Sequence, residues 1–346
     1  NDDWKLVDPH SGEVREVVSA KHLWQQILEL RMHTGEPYIH YIDTSNRGMP
    51  QFLKDKGLKI HQSNLCSEII LPTNEQRTAV CCLSSLNLEY YDDWKDNELF
   101  LRDVAEMLDN VLQYFIDNAP DSISRAKYSA SRERSIGIGA LGYHAYLQKN
   151  SIPWESALAT GRNIQIFKYI REQLDDANIQ LGTERGEAPD AAGTGRRFSH
   201  MLAIAPNASS SIICSGTSPS IEPYRANVYT HKTLSGSYQV KNKDLEKLLK
   251  SKGLKGAELD NVWKEMAANE GSVQKLDMLD DVEKELFKTA NELNQIWIIE
   301  HAHMRQEFVC QAQSVNLFFT LPSATEEQKV HDDYMQYVSD VHWYGM

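Results

Sequence analysis

A cysteine with an amide two residues before it and a carboxylate two residues after it, in Asn64-Leu65-Cys66-Ser67-Glu68, is the first stretch whose residue types suggest chemistry. In an extended backbone alternate side chains share a face, so Asn64, Cys66 and Glu68 are expected to form one row. A row of amide, thiol and carboxylate can hold a substrate by hydrogen bonds, take something from it at sulfur and accept a proton. Three polar residues on one strand face also suit an exposed edge. Ile69, Ile70 and Leu71 follow directly and read as buried strand, and a polar row running into a core strand requires partners or a pocket.

Four more cysteines follow: Cys81, Cys82, Cys214 and Cys310. Five cysteines, none spaced C-x-x-C, point neither to a disulfide scaffold nor to a structural zinc site. Reactive or redox thiols and plain buried cysteines both remain open. On a strand, Cys81 and Cys82 face opposite sides, so at most one of them shares a pocket with Cys66. A disulfide would need a second thiol with its Cα about 5.5 Å away.

Three other patterns merit weighing. "APNASSSII", from Ala205 to Ile213, reads as a strand end, a serine-rich turn and a helix start. Free N–H groups and hydroxyls there suit an anion, whereas an ordinary N-cap needs fewer serines. Gly137, Gly139 and Gly142 have the G-x-G-x-x-G spacing of a dinucleotide loop. The strand before them is doubtful and no acidic residue follows in a fitting context, so tight helix–strand packing is the better reading. The histidines of "EHAH", Glu300 to His303, stand two residues apart on different helix faces and make a poor metal pair.

The elements that must position these residues alternate. Helices are expected at "AKHLWQQILELRMHTGEP", "NELFLRDVAEMLDNVLQYFIDNA" and "WESALATGRNIQIFKYIREQLDDANIQLGTERG", and again near Val282–Phe308 and after Ala324. Strands are expected at "YIHYID", around Cys66, at "TAVCCLSSLNLEYY", before Pro206 and at "SVNLFFTLP". Strands alternating with helices and no Pro- or Ser-rich linker imply one α/β domain, 1–346, with parallel strands. The charged stretch at about 241–281 reads as an exposed helical insertion with a solvated face. A net charge of −13 argues against broad nucleic-acid or membrane binding. Without an apolar run of 18 residues or a signal peptide, a soluble, cytoplasmic protein is expected.

Taken in order, "QSNLCSEI", "AVCCLSSLNL", "RSIGIGALGYHAYL", "APNASSSIICSGTSPSIEPYRANVY" and "CQAQSVNLFF" resemble the large catalytic subunit of class I ribonucleotide reductases, especially phage-encoded and bacterial forms. The likeness runs from "WKLVDP" to "HWYGM". It implies the C-terminal half of a ten-stranded α/β barrel, with a finger loop carrying a radical cysteine. Cys66 matches the transient thiyl radical, Glu68 the carboxylate that takes the 3′-hydroxyl proton, and Asn64 the amide that binds the sugar hydroxyls. Cys81 matches one of two reducing thiols that end as a disulfide, and Cys82 is then packed toward the helix layer. Asn207, Ala208, Ser209 and Ser210 match the turn that binds the substrate diphosphate.

The resemblance also implies what lies elsewhere. The second reducing thiol, the regulatory nucleotide sites and the main dimer helices would precede this region, and two radical-relaying tyrosines would follow it. The chain thus reads as part of a catalytic subunit that binds no cofactor directly. Its expected partners are a polypeptide with the N-terminal half, a metal-containing radical-generating small subunit, and thioredoxin or glutaredoxin as dithiol reductant. Its substrate would be a ribonucleoside diphosphate, and its location the cytoplasm, or the host cytoplasm if phage-encoded. The alternatives are a non-catalytic complementing or remnant fragment and a piece of a B12-dependent class II reductase.

Overall fold

A computed structural model describes residues 2–233 and 236–318. It divides into two compact units, one up to Tyr41 and one from Ile42 onward. The helix expected after Ala324 lies outside the described residues.

The first unit is a hairpin and a helix. Strands β1 (Asp3–Val7) and β2 (Val14–Ser19) pair antiparallel. Asp8 closes the turn by accepting the His10 and Ser11 N–H groups, each at 2.9 Å. Ser19 then caps α1 (Ala20–Thr34) by accepting the His22 N–H at 3.3 Å, and Gly35 at φ 78° ends it. The sequence pattern announces α1 but not the hairpin: β1 alternates only Trp4 and Leu6 with polar neighbours, and β2 mixes polar and apolar residues on both faces.

The second unit opens with α2 (Ile42–Gly48) and α3 (Gln51–Lys54). The strand expected at "YIHYID" is absent; residues 38–41 are irregular and α2 begins at Ile42. Helix wins because Asn46 on α2 is bonded in both directions to Ile60: its Nδ2 donates to the Ile60 carbonyl at 2.8 Å and its Oδ1 accepts the Ile60 N–H at 3.0 Å.

A row of parallel segments forms the centre. Strand β3 (Leu83–Asn87) pairs with β4 (Gly137–Leu141) in parallel, Leu83 opposite Gly137 and Asn87 opposite Leu141. Ile138 bridges in parallel to Leu202, and Ile204 to Gln313. The row is open, and no closed barrel forms among the described residues. The strand expected at "SVNLFFTLP" narrows to that bridge at Gln313, with 314–318 irregular and the remainder outside the described residues.

The two faces of this row differ. Outward, Cys82, Leu86, Ile138, Ala140, Leu202 and Ile204 enter the main core. That core includes residues of the helices that follow: α4 (Tyr91–Trp94), α5 (Phe100–Asn118), α6 (Ser124–Glu133), α7 (Tyr143–Lys149) and α8 (Ala157–Arg185). The apolar stripe expected on α5 splits. Leu101, Ala105, Leu108 and Leu112 are buried, while Met107 and Val111 are about half exposed on the opposite side. Buried Asp109 ties the layer together, meeting Arg134 at 2.6 Å and Arg185 and Arg197 at 3.0 Å.

After α9 (Ala208–Ile213), strands β5 (Val228–Thr233) and β6 (Gly236–Lys241) form an antiparallel hairpin. Helices α10 (Lys243–Ser251), α11 (Ala257–Ala268) and α12 (Asp281–Leu286) follow it. The expectation of a merely solvated face at 241–281 is corrected here. Leu245, Leu249, Val262, Trp263, Met266 and Phe287 bury a core of their own. Charged residues outnumber these anchors in the sequence, but the anchors recur at helical spacing. Helix α13 (Gln295–Gln306) then leads to the Gln313 bridge. Among the described residues no helix is long and apolar enough to cross a membrane.

Candidate active site

The stretch from Lys59 to Thr73 is a narrow finger. Its arms meet where the Thr73 N–H reaches the Lys59 carbonyl at 3.2 Å and the Asn64 N–H reaches the Ile69 carbonyl at 3.1 Å. Ile69 and Leu71 pack with Ala203 and Leu83 of the parallel row, while Ile70 packs the other way with Met49, Leu53 and Ile60. The finger is therefore held from both sides. Its backbone also joins the row directly, because Glu68 O accepts the Ala312 N–H at 3.0 Å.

The tip is not the extended row that alternation suggests. The Ser67 N–H bonds back to the Asn64 carbonyl at 3.1 Å, and Ser67 sits at φ 73°, in left-handed territory. That turn places Leu65 and Cys66 together on the exposed crest. It also folds Asn64 and Glu68 against each other: Asn64 Nδ2 donates to Glu68 Oε2 at 2.9 Å, and Asn64 Oδ1 accepts the Ile69 N–H at 3.0 Å. The amide and carboxylate are thus brought together as expected, by a turn rather than by strand pleat. Glu68 is only 2% exposed.

Cys81 completes the cluster. Burial, the charge of Glu68 and the neighbouring Cys66 push its thiol pKa up, and a hydrogen bond with the Asn64 side chain partly offsets them. Three of the four named side chains therefore act directly on the fourth. Cys82 turns away. It is buried with Sγ 3.6 Å from the Leu108 carbonyl of α5, and burial followed by the charge of Asp109 pushes its pKa up to about 11.

The serine-rich turn lies at the end of the 201–204 segment. Ala208, Ser209 and Ser210 are exposed in the first turn of α9. Asn207 precedes them, yet its side chain makes no capping bond to that helix. Instead Nδ2 donates toward Ser85 Oγ at 2.7 Å and the Ala140 and Ala205 carbonyls at 3.1 Å. Ser85 was not singled out from the sequence. Alternation offers the signal, since Ser85 on β3 stands four residues beyond Cys81, an even spacing that puts both on one face of an extended chain.

The remaining patterns resolve as packing. A Cβ on Gly139 would lie 2.7 Å from the Ala203 carbonyl, and one on Gly142, at φ 78°, would lie 2.6 Å from Asn87 Oδ1. Those glycines let β3, β4 and 201–204 approach closely. His301 of "EHAH" is fully buried and stacks on Trp154, and burial drives its pKa down to about 3, so it is neutral. Cys310 Sγ accepts the Met201 and Leu202 N–H groups at 3.2 Å. Among the described residues no group of three or more His, Cys, Asp or Glu is placed to hold a metal. One further link joins two quoted motifs: Asn316 Nδ2 donates to buried Glu222 at 2.6 Å, and burial raises the pKa of that carboxyl.

The large subunit of ribonucleoside-diphosphate reductase from Invertebrate iridescent virus 3 is 52% identical over 339 residues, which is 98% of this chain and 52% of that protein. A putative counterpart from Frog virus 3 (isolate Goorha) is 49% identical over 92% of this chain and 56% of its own length. Among solved structures, the Actinobacillus ureae class Id ribonucleotide reductase alpha subunit superposes with a TM-score of 0.85 at 38% identity, over 94% of this chain and 59% of that one. Viral forms thus match at higher identity than this bacterial one. The chain spans about half the length of the relatives it matches. The family model "Ribonucleotide reductase, barrel domain" matches residues 4–194 and 188–340, and the chain belongs to that family.

Proposed function

We propose that this chain is the catalytic portion of a ribonucleoside-diphosphate reductase, which converts ribonucleotides to deoxyribonucleotides by a thiyl-radical route. The observation that carries the reading is the finger tip: Asn64 and Glu68 hydrogen-bonded to each other beside Cys81, with Cys66 on the crest. An exposed sulfur on a braced loop can reach a substrate that the carboxylate and amide orient.

The Cys66 thiyl takes the ribose 3′ hydrogen and leaves a carbon radical. Glu68 accepts the 3′-hydroxyl proton, and Asn64 holds the sugar hydroxyls. The 2′ hydroxyl takes a proton from one of the two reducing thiols, Cys81 or its partner, and departs as water, which leaves a 3′ ketone with the radical at C2′. The pair then delivers a hydrogen atom to C2′ and an electron to the ketone and ends as a disulfide, Glu68 returns its proton to the 3′ oxygen, and Cys66 returns the hydrogen to C3′ and regains its radical. Exchange with a dithiol protein, thioredoxin or glutaredoxin, restores the thiols. The radical comes from a metal-containing partner subunit. The second thiol comes from the N-terminal half of the subunit, and Asn207–Ser210 bind the substrate diphosphate. The reaction belongs to the cytoplasm, where thiols stay reduced.

The test is Cys66→Ala in the full-length subunit assembled with its radical-generating partner. Deoxynucleotide formation should vanish while the thermal melt stays within a few degrees, since Cys66 is exposed. Turnover above background by folded Cys66→Ala protein would overturn the assignment.

A further inference from the structure

Ser85 sits between two parts of the site. It lies on the finger-bearing face of β3, four residues beyond Cys81, or about 13 Å along an extended strand. Its Oγ is 2.7 Å from Asn207 Nδ2. The same nitrogen faces the carbonyls of Ala140 and Ala205, which can only accept hydrogen bonds. They fix that end of Asn207 as the NH2 group, so Ser85 is the acceptor. Asn207 stands where a helix is ordinarily capped by its own preceding side chain, but it is turned toward the sheet and leaves the first turn of α9 uncapped. Gly139 keeps the space open, because a Cβ there would stand 3.3 Å from Ser85 Oγ.

We infer that Ser85 is a positioning residue: through Asn207 it sets the conformation of the Asn207–Ser210 turn, and so the preference for a nucleoside diphosphate over the bare nucleoside. The inference rests on the proposed assignment of that turn to the substrate diphosphate. Without the Ser85 hydroxyl, the Asn207 side chain loses its shortest bond to the sheet and can swing to cap α9, competing with the substrate for the turn.

The experiment compares wild type, Ser85→Ala and Ser85→Thr in the full-length subunit with its radical-generating partner and a dithiol reductant. Ser85→Ala should raise KM for the ribonucleoside diphosphate about three- to tenfold, the scale of one neutral hydrogen bond, with kcat changed less than twofold. Ser85→Thr keeps the hydroxyl on a β-branched side chain that suits a strand, and should return KM to within about twofold of wild type. Inhibition by the bare ribonucleoside should be equal in all three. An unchanged KM in Ser85→Ala, an equal rise in both variants, or a fall in kcat alone overturns the role of Ser85. If wild type itself shows no preference for diphosphate over nucleoside, the turn assignment fails and the inference fails with it. Wild-type preference that survives intact in Ser85→Ala sinks the inference alone.

Discussion

Cys81 and Cys82 are adjacent in sequence, and the fold assigns them opposite fates that can be measured on the thiols themselves. Cys82 is 8% exposed beneath α5, and its pKa is pushed up to about 11, from an ordinary 9.0, by burial first and by the charge of Asp109 second. Only the thiolate reacts. At pH 8 its thiolate fraction is then about 10⁻³, against about 10⁻¹ for the unperturbed thiol, a slowing of roughly 100-fold before steric protection is counted. Cys66 and Cys81 are exposed. Iodoacetamide at pH 8, followed by peptide mass spectrometry over time, should label Cys66 and Cys81 in the native protein and leave Cys82 until denaturant is added. The functional arm uses serine variants in the assembled enzyme. Cys81→Ser should stop multiple turnover with a dithiol reductant, since no disulfide can form. Cys82→Ser should keep most activity and cost about 1–2 kcal/mol, because a hydroxyl is harder to bury than a thiol and the Leu108 carbonyl that faces the sulfur lies 3.6 Å away, long for an O–H bond. Labelling of Cys82 as fast as Cys81, or Cys82 in the disulfide formed after one turnover, would refute the facing assigned to this strand.

Three further perturbations test the frame around the site. Glu68→Gln should keep the bond to Asn64 through its amide oxygen yet lower kcat about 10²–10⁴-fold; unchanged turnover would show that Glu68 is not the base. Asp109→Asn strips the charge that three arginines face and should cost about 3–5 kcal/mol in urea melts at pH 7. Burial alone would raise the pKa of Asp109, but hydrogen bonds from Arg197 and Arg134 outweigh it and hold the carboxyl below its ordinary 3.8. A depressed acid contributes stability above 3.8 and loses it as pH falls through the lowered value, so the gap between wild type and variant should narrow in the acid limb below about pH 4; a constant gap counts against the arginine cluster. Ser67→Val puts a β-branched residue at φ 73° and should cost about 1–3 kcal/mol locally, whereas Ser67→Gly should be tolerated; equal activity in the two would mean the turn does not set the position of Cys66.

Much of this was legible because local patterns carried it. The long helices α5 and α8 follow from apolar spacing, and the buried Ile69–Leu71 arm follows from its composition. The members of the cluster could be named from residue type and resemblance, but their mutual geometry could not. The alternation rule assumes a strand, and the turn at Ser67 breaks it with a left-handed residue that is not glycine, so no glycine or asparagine marks the position. The β5–β6 hairpin is hard to read for a different reason: Val228–Thr233 mixes polar and apolar residues on both faces, and in Gly236–Lys241 only Tyr238 and Val240 alternate with polar neighbours, too short a run to mark a strand. The 241–281 stretch misled because its charge count hides anchors such as Leu245, Leu249 and Trp263, which are visible only when read at helical spacing.

The glycine spacing at 137, 139 and 142 shows how one pattern serves two ends. In a dinucleotide loop small residues let a backbone approach a pyrophosphate. Here they let strands approach each other and leave room on one face only. Along β4, Gly137 and Gly139 face the finger side while Ile138 and Ala140 face the helices; next to it Ala203 faces the finger side while Leu202 and Ile204 face the helices. At positions 137, 139 and 203 the finger side therefore carries only glycine or alanine. A sheet packed by large residues on both faces would exclude Ile69 and Leu71, and with them the loop that raises Cys66. At Gly137 the space left by the missing side chain is met by Ile69 of the finger, so part of the spacing that suggests a nucleotide loop makes room for the loop that carries Cys66 instead.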